Sequence, residues 1–166
     1  MRIYLVQHGE AKSEEEDPNR RLTEKGIRDV ENVVDFLRPL KLRVDAIWHS
    51  GKARAQETGE LLARAVWARD GLLPREGLAP KDQVESTKEA LELTSGDLMI
   101  VGHLPFLNKL VTLLVTGNET SEILEFRFGS VVCVERREDR GWRVAWMVTP
   151  SLLNSPPPAL RQAPSE

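Results

Sequence analysis

The sequence is poor in the residues that covalent or metal staples require. A single cysteine, Cys133, stands among 166 residues, so no internal disulfide can form. The three histidines have no cysteine or clustered histidine partner at metal-ligand spacing, so no metal site is expected. Long hydrophobic runs are missing as well: stretches such as Leu110 to Val115 fall far short of the roughly 20 residues that span a bilayer. Met1 to His8 lacks the apolar core of about 7 to 15 residues that marks a secretory signal. With its lone thiol, the chain is expected in a reducing, cytoplasmic compartment and away from membranes. Positive charge is not in excess, since 23 Lys and Arg face 26 Asp and Glu for a net charge of -3. Nothing therefore attracts the whole chain to nucleic acid, and any anion site has to be local. A Walker-type loop and a Gly-x-Gly-x-x-Gly fingerprint are both absent, so no cofactor is implied.

What is present suits one globular unit. With 40% apolar and 30% charged residues, a chain of this size buries about 70% of its unfolded surface. The reading is one domain over residues 1–149, followed by a proline-rich tail over 150–166 that is extended or disordered. Ile3 to Val6 is a short continuous apolar run, the pattern of a strand buried on both faces. Thr23 is a plausible N-cap for a helix carrying Ile27, Val30, Val34 and Leu37 on one face, stopped at Pro39. Asp45 to His49 reads as a second strand, and the segment from Ser50 opens a helix with Thr58, Leu61, Leu62 and Ala65 inward. Leu72 to Leu78 is a weaker strand, Lys81 to Leu93 a helix, and Leu98 to Val101 a clear strand. Gly102-His103-Leu104-Pro105 then starts a helix bearing Leu107, Leu110, Val111 and Leu114.

From Ile123 the pattern turns to strands: Ile123 to Phe128, Ser130 to Arg136, and Trp142 to Val148. The alternation implies an α/β fold, a three-layer α/β/α sandwich whose mostly parallel sheet carries an antiparallel edge.

Ligands of parallel α/β sheets collect at the carboxyl ends of the strands. There the first strand delivers Gln7, His8 and Gly9, the second His49 and Ser50 with Arg54 one turn into its helix, and the fourth Gly102 and His103. Two histidines and an arginine next to helix N-termini make an anion pocket, most simply for phosphate. Neutral imidazole is a competent nucleophile toward phosphorus near pH 7. Phosphoryl transfer otherwise needs positioning and positive charge, which Arg20, Arg54 and His103 supply. His49 reads as a local hydrogen-bonding residue and Cys133 as a small buried hydrophobe.

Four ordered runs carry a resemblance: Val6-Gln7-His8-Gly9-Glu10, Arg20-Arg21-Leu22-Thr23-Glu24-Lys25-Gly26, Ser50 to Thr58, and Val101-Gly102-His103-Leu104-Pro105. In order and spacing they resemble the histidine phosphatase superfamily, which is phosphoglycerate mutase-like. The likeness is to its small SixA-type phosphohistidine phosphatase branch, which lacks a large cap. Carried over residue by residue, the resemblance implies that His8 is the phosphorylated nucleophile. It implies further that Gln7, Gly9, Arg20, Arg54 and His103 bind the phosphoryl group, with His103 and Arg54 also acting in catalysis. Arg21, adjacent to Arg20, is an alternative for that role.

One position departs, because Gln7 stands where the family has arginine. The general acid is open among Glu14, Glu15, Glu16, Asp17 and Asp82. The function implied is a phosphatase, independent of metal, whose substrate is a phosphohistidine in a signalling or phosphotransfer protein. A phosphate-binding module without turnover and a small-molecule phosphomonoesterase are the alternatives. The expected partner is accordingly a phosphorylated protein or a small phosphorylated compound.

Overall fold

The computed structural model describes residues 1–139 and 141–154. Its centre is strand β1, Arg2–Gln7, whose side chains beyond Arg2 are all buried. Around it run helix α1 (Glu24–Leu37), a short pair of strands β2 (Arg43–Val44) and β4 (Trp67–Ala68), strand β3 (Ala46–His49) and helix α2 (Ala53–Leu62). The chain continues through β5 (Leu72–Pro74), α3 (Val84–Glu92), β6 (Leu98–Gly102) and α4 (Phe106–Thr116). It closes with β7 (Val131–Arg136), β8 (Trp142–Val148) and α5 (Pro150–Asn154).

Six strands form one sheet in the order β5-β3-β6-β1-β7-β8. The pairs from β5 to β1 are parallel, and β7 and β8 add to them antiparallel. Alternation along β1 divides the core. Tyr4 and Val6 face one cluster with Val30, Val33, Val34 and Leu37 of α1 and Leu61 and Leu62 of α2. Ile3 and Leu5 face a second cluster with Val84 and Leu91 of α3 and Phe106, Leu107 and Leu110 of α4. The result is the α/β/α sandwich the sequence predicts. Each buried Leu or Val contributes roughly 1.5 to 3 kcal/mol, so the two clusters carry most of the favourable folding free energy.

Thr23 caps α1 as expected, its hydroxyl accepting from Gly26 N–H at 2.9 Å. Gly26 itself is required by packing. A Cβ there would lie 2.2 Å from the Glu10 carbonyl oxygen and 2.9 Å from the Glu10 nitrogen, both backbone atoms that cannot swing aside. Gly26→Ala is therefore expected to destabilise the protein by about 1 to 3 kcal/mol, despite alanine's better helix propensity. A denaturation midpoint equal to wild type would refute this. The same clash falls two residues from His8, so the variant also reports how tightly α1 holds that loop.

Several expectations need correction. Ile27 is 38% exposed, because the buried stripe of α1 runs through Val33 rather than Ile27. The strand expected over Leu72 to Leu78 ends at Pro74, where the missing N–H is tolerated on an edge strand. The helix expected from Lys81 begins at Val84, since Asp82 is used in a turn, accepting from Ala79 N–H at 2.7 Å. Ile123 to Phe128 forms no strand. The strand it leads into, β7, is already paired on both edges, to β1 and β8, and Phe126 enters the second core cluster with Leu124 packed against it.

Of the expected tail, Pro150–Asn154 is a helical turn held to α1, with the Asn154 amide donating to Asp29 at 3.1 Å. Residues 155–166, the rest of the tail, lie outside the described residues. No helix among the described residues is long and apolar enough to cross a membrane.

Candidate active site

The sheet order creates the site. β1 and β6 are adjacent and parallel with Gln7 opposite Gly102, so His8 and His103 emerge from neighbouring strand ends. His8 N–H donates to the Gly102 carbonyl at 3.1 Å. From there the chain turns toward α1 on one face after β1 and toward α4 on the other after β6. The strands thus part at a crevice, the place where open α/β sheets bind ligands. Both rings are buried, and their centroids lie 4.9 Å apart.

The His8 ring is oriented by the backbone. Its Nδ1 sits 2.7 Å from the Gly9 carbonyl oxygen. A carbonyl only accepts, so Nδ1 carries the proton and Nε2 keeps its lone pair. Burial pushes the His8 pKa down to about 4, against the Gly9 hydrogen bond, and the nearby charges of Arg54 and Arg20 lower it further. Gly9 is in turn tied to α2: its N–H donates to Thr58 Oγ1 at 3.0 Å, and that hydroxyl donates to the Arg54 carbonyl at 2.7 Å.

His103 is held from the other side. Its Nε2 lies 2.6 Å from Ser50 Oγ, and that hydroxyl accepts from Lys52 N–H at 3.4 Å. With Ser50 donating to Nε2, the proton of the neutral ring sits on Nδ1, which is buried without a protein partner. Burial, followed by the charges of His8, Arg54, Lys52 and Arg20, lowers the His103 pKa to about 3. Both imidazoles are therefore neutral at pH 7.

The cations surround this pair. Arg54 lies in the first turn of α2 with its Nε buried and unpartnered, and burial, then the charge of Arg20, lowers its pKa while Glu14 opposes. Arg20 adopts a left-handed backbone, φ 50°, and its Nε donates to the Lys12 carbonyl at 3.2 Å. That conformation costs about 1 to 2 kcal/mol in a non-glycine residue. Its charge reaches His8, His103 and Arg54. Arg21 turns outward, 4.0 Å from Glu57 and exposed, which separates the two adjacent arginines. Gln7 is buried, its Oε1 without a partner.

Unpartnered N–H groups beside two arginines form a cradle suited to the oxygens of a phosphoryl group. Among the described residues no group of three or more His, Cys, Asp or Glu is placed to hold a metal ion.

The acid candidates separate by occupation. Glu16 accepts from Ser13 N–H at 3.0 Å, and Asp17 from Asn19 N–H at 2.9 Å and Arg21 N–H at 3.3 Å. Those two bonds hold Asp17 below the usual carboxylate range. Asp82 closes the turn at Ala79. Glu15 is exposed, and Glu14 is the acid whose charge reaches Arg54. His49 accepts from Gly51 N–H at 3.1 Å, the local role expected of it. Cys133 is fully buried in β7.

Sequence reasoning gave no role to Ser50 or Phe128. Ser50 follows His49 on the same strand end, a signal that was legible. Phe128 sits at 5.5 Å from the His8 ring and 120 positions away in the chain, with nothing local to announce it. A concavity of about 490 Å³ between Glu92, Arg136, Arg137, Glu138 and Trp142 lies at the opposite end of the sheet. There Arg136 donates to the carbonyls of Leu91, Glu92 and Thr94 and caps α3, a structural duty.

The depressed histidines predict acid lability. Below pH 6.5 the unfolded chain binds protons that the folded His8 and His103 refuse until about pH 4 and 3. Stability is thus full above pH 6.5 and falls as pH drops from 6.5 toward 4. The melting temperature is expected to decline between pH 7 and 5, above the range where most carboxylates titrate. A flat profile over that interval would sink the assignment.

The family model described as histidine phosphatase superfamily (branch 1) matches residues 3–74. That stretch, less than half of the chain, is similar to the histidine phosphatase superfamily. The superfamily match takes in His8, Gly9, Arg20 and Arg54 and ends before His103, which the fold alone brings in. No curated protein matches the sequence.

Among solved structures, the fold is similar to that of the protein histidine phosphatase SixA complexed with tungstate. The TM-score is 0.80 at 21% identity, covering 92% of this chain and 99% of that one. It is also similar to SixA of Agrobacterium tumefaciens, with a TM-score of 0.72 and 22% identity over 89% and 97% of the two chains. Phosphoserine phosphatase of Entamoeba histolytica, in complex with 3-phosphoglyceric acid, gives 0.67 at 14% identity over 88% and 95%.

Proposed function

We propose that this protein is a phosphatase that works through a phosphohistidine on His8. The observation that carries the reading is the Nδ1–H bond of His8 to Gly9, which leaves Nε2 as a free lone pair beside His103, Arg20 and Arg54. In the first step Nε2 attacks phosphorus, the bond from phosphorus to the leaving atom breaks, and its electron pair goes to that atom. Water then attacks the phosphoenzyme, the P–Nε2 bond breaks, the pair returns to Nε2, and inorganic phosphate and a proton are released. Arg20, Arg54 and the His103 Nδ1–H offset the charge on the equatorial oxygens. None of these steps calls for a metal.

The substrate we favour is a phosphohistidine side chain of another protein. Once its second ring nitrogen is protonated, such an imidazole leaves neutral, with a conjugate-acid pKa of about 6.5, so only weak acid assistance is needed. Glu14, exposed and within electrostatic reach of Arg54, is our choice for that acid. The fully buried thiol of Cys133 accords with a cytoplasmic setting.

The test is incubation with phosphoramidate, a quench in base and mass-spectrometric mapping. A base-stable, acid-labile phosphate on His8 that decays with time is the expected result. No label on His8 would overturn the reading.

Gln7 favours a second reading, a phosphate-binding module without turnover, because an uncharged amide stands where the superfamily has arginine. On the phosphatase reading Gln7→Arg changes kcat/KM by less than about tenfold. A gain of about 100- to 1,000-fold, the usual worth of one electrostatic donor, would favour the binder.

A further inference from the structure

We propose that Phe128 determines substrate specificity, as a wall on which the planar leaving group of the substrate, an N-phosphorylated imidazole, stacks. This rests on the phosphatase reading and narrows it.

Phe128 occupies a tight turn, Arg127 to Ser130, closed by Ser130 N–H to the Arg127 carbonyl and by Arg127 N–H to Ser130 Oγ, both 2.9 Å. Gly129 takes the positive φ of 76° that the turn needs. Its N–H donates to the carbonyls of Gln7 at 3.0 Å and His8 at 3.2 Å. The turn is thus bonded to the strand end that presents the nucleophile, which fixes the Phe128 backbone relative to His8.

The ring lies 5.5 Å from the His8 imidazole at an interplanar angle of 40°, yet Phe128 is 47% exposed while His8 is only 6% exposed. A single exposed apolar side chain means little by itself. One that packs against a buried nucleophile and continues from it into solvent borders the approach to that nucleophile. The charges that reach His8 come from Arg20 and Arg54 and suit the phosphoryl oxygens. Phe128 offers those oxygens nothing, but it offers a flat leaving group a π face. Aromatic pairs favour offset or tilted contacts with centroids about 4.5 to 7 Å apart. A phosphoserine or glycerol phosphate has no ring to place there.

The experiment compares kcat/KM for a phosphohistidine peptide and a phosphoserine peptide of the same sequence, in wild type, Phe128→Ala and Phe128→Trp. The ratio of the first substrate to the second is expected to fall about tenfold in Phe128→Ala and to be kept in Phe128→Trp. An unchanged ratio, including an equal loss on both peptides, would overturn the proposal and leave Phe128 a shield for His8. The phosphatase reading fails separately, when the wild type takes no phosphate from phosphoramidate and turns over neither peptide. In that event the same ratio is read in Kd, where the tenfold change upholds the aromatic wall and its absence rejects it.

Discussion

His8→Ala is expected to abolish phosphoenzyme formation and to lower kcat by on the order of 10,000-fold or more, the scale seen when a covalent nucleophile is removed. Nothing else in the crevice can substitute. His103 has its Nε2 engaged by Ser50, and in the tautomer in which that hydroxyl donates to Nε2 the ring keeps no free lone pair. The cradle outlives the substitution, since Arg20, Arg54 and His103 remain, so the variant should still bind inorganic phosphate or tungstate. Removing a buried imidazole of depressed pKa also removes part of the proton uptake on unfolding. The variant should therefore lose less melting temperature than wild type between pH 7 and 5. Turnover within tenfold of wild type would refute the covalent role, whatever the fold of the variant.

Arg54→Ala is expected to lower kcat/KM by about 100- to 1,000-fold. Arg54 is the cation placed at the start of α2 with a buried, unpartnered Nε, and its side chain projects from the helix that also grips Gly9 through Thr58. Arg54→Lys keeps the charge and loses the fork, and should recover only part of the loss. Stability should move the other way. Arg54 is half-buried against the like charge of Arg20, so its removal relieves repulsion and the melting temperature should not fall. A variant both active and destabilised would show that Arg54 serves the fold and not the phosphoryl group. The like charges of Arg20 and Arg54 are what an anion would offset, a functional site kept at some expense in stability.

The site could be read in the sequence wherever a side chain follows directly from its strand. His8, His103 and Arg54 each sit within a few residues of the end of a buried apolar run, and burial of that run fixes where the next residues go. The choice between Arg20 and Arg21 could not be made that way. It turns on a left-handed backbone at Arg20, and the sequence carries no glycine there to signal one. The acids were equally ambiguous, because five carboxylates in loops look alike until turns claim Glu16, Asp17 and Asp82. Ile123 to Phe128 shows the converse failure. Its composition suits a strand, but strand formation depends on the partner the fold places alongside, and β7, the strand it leads into, is already paired on both edges.

By itself the sequence determined the α/β alternation, the capped helix at Thr23, the two-faced burial of β1 and the identity of the groups at the strand ends. These are local matters of periodicity, capping and chain direction. Only the tertiary structure decided that β6 lies beside β1, which sets two histidines 95 residues apart at a ring separation of 4.9 Å. It also decided that the turn at Phe128 is bonded to the strand end that carries His8. Strand order and loop docking arise from the packing of distant surfaces, and no window of neighbouring residues contains that information.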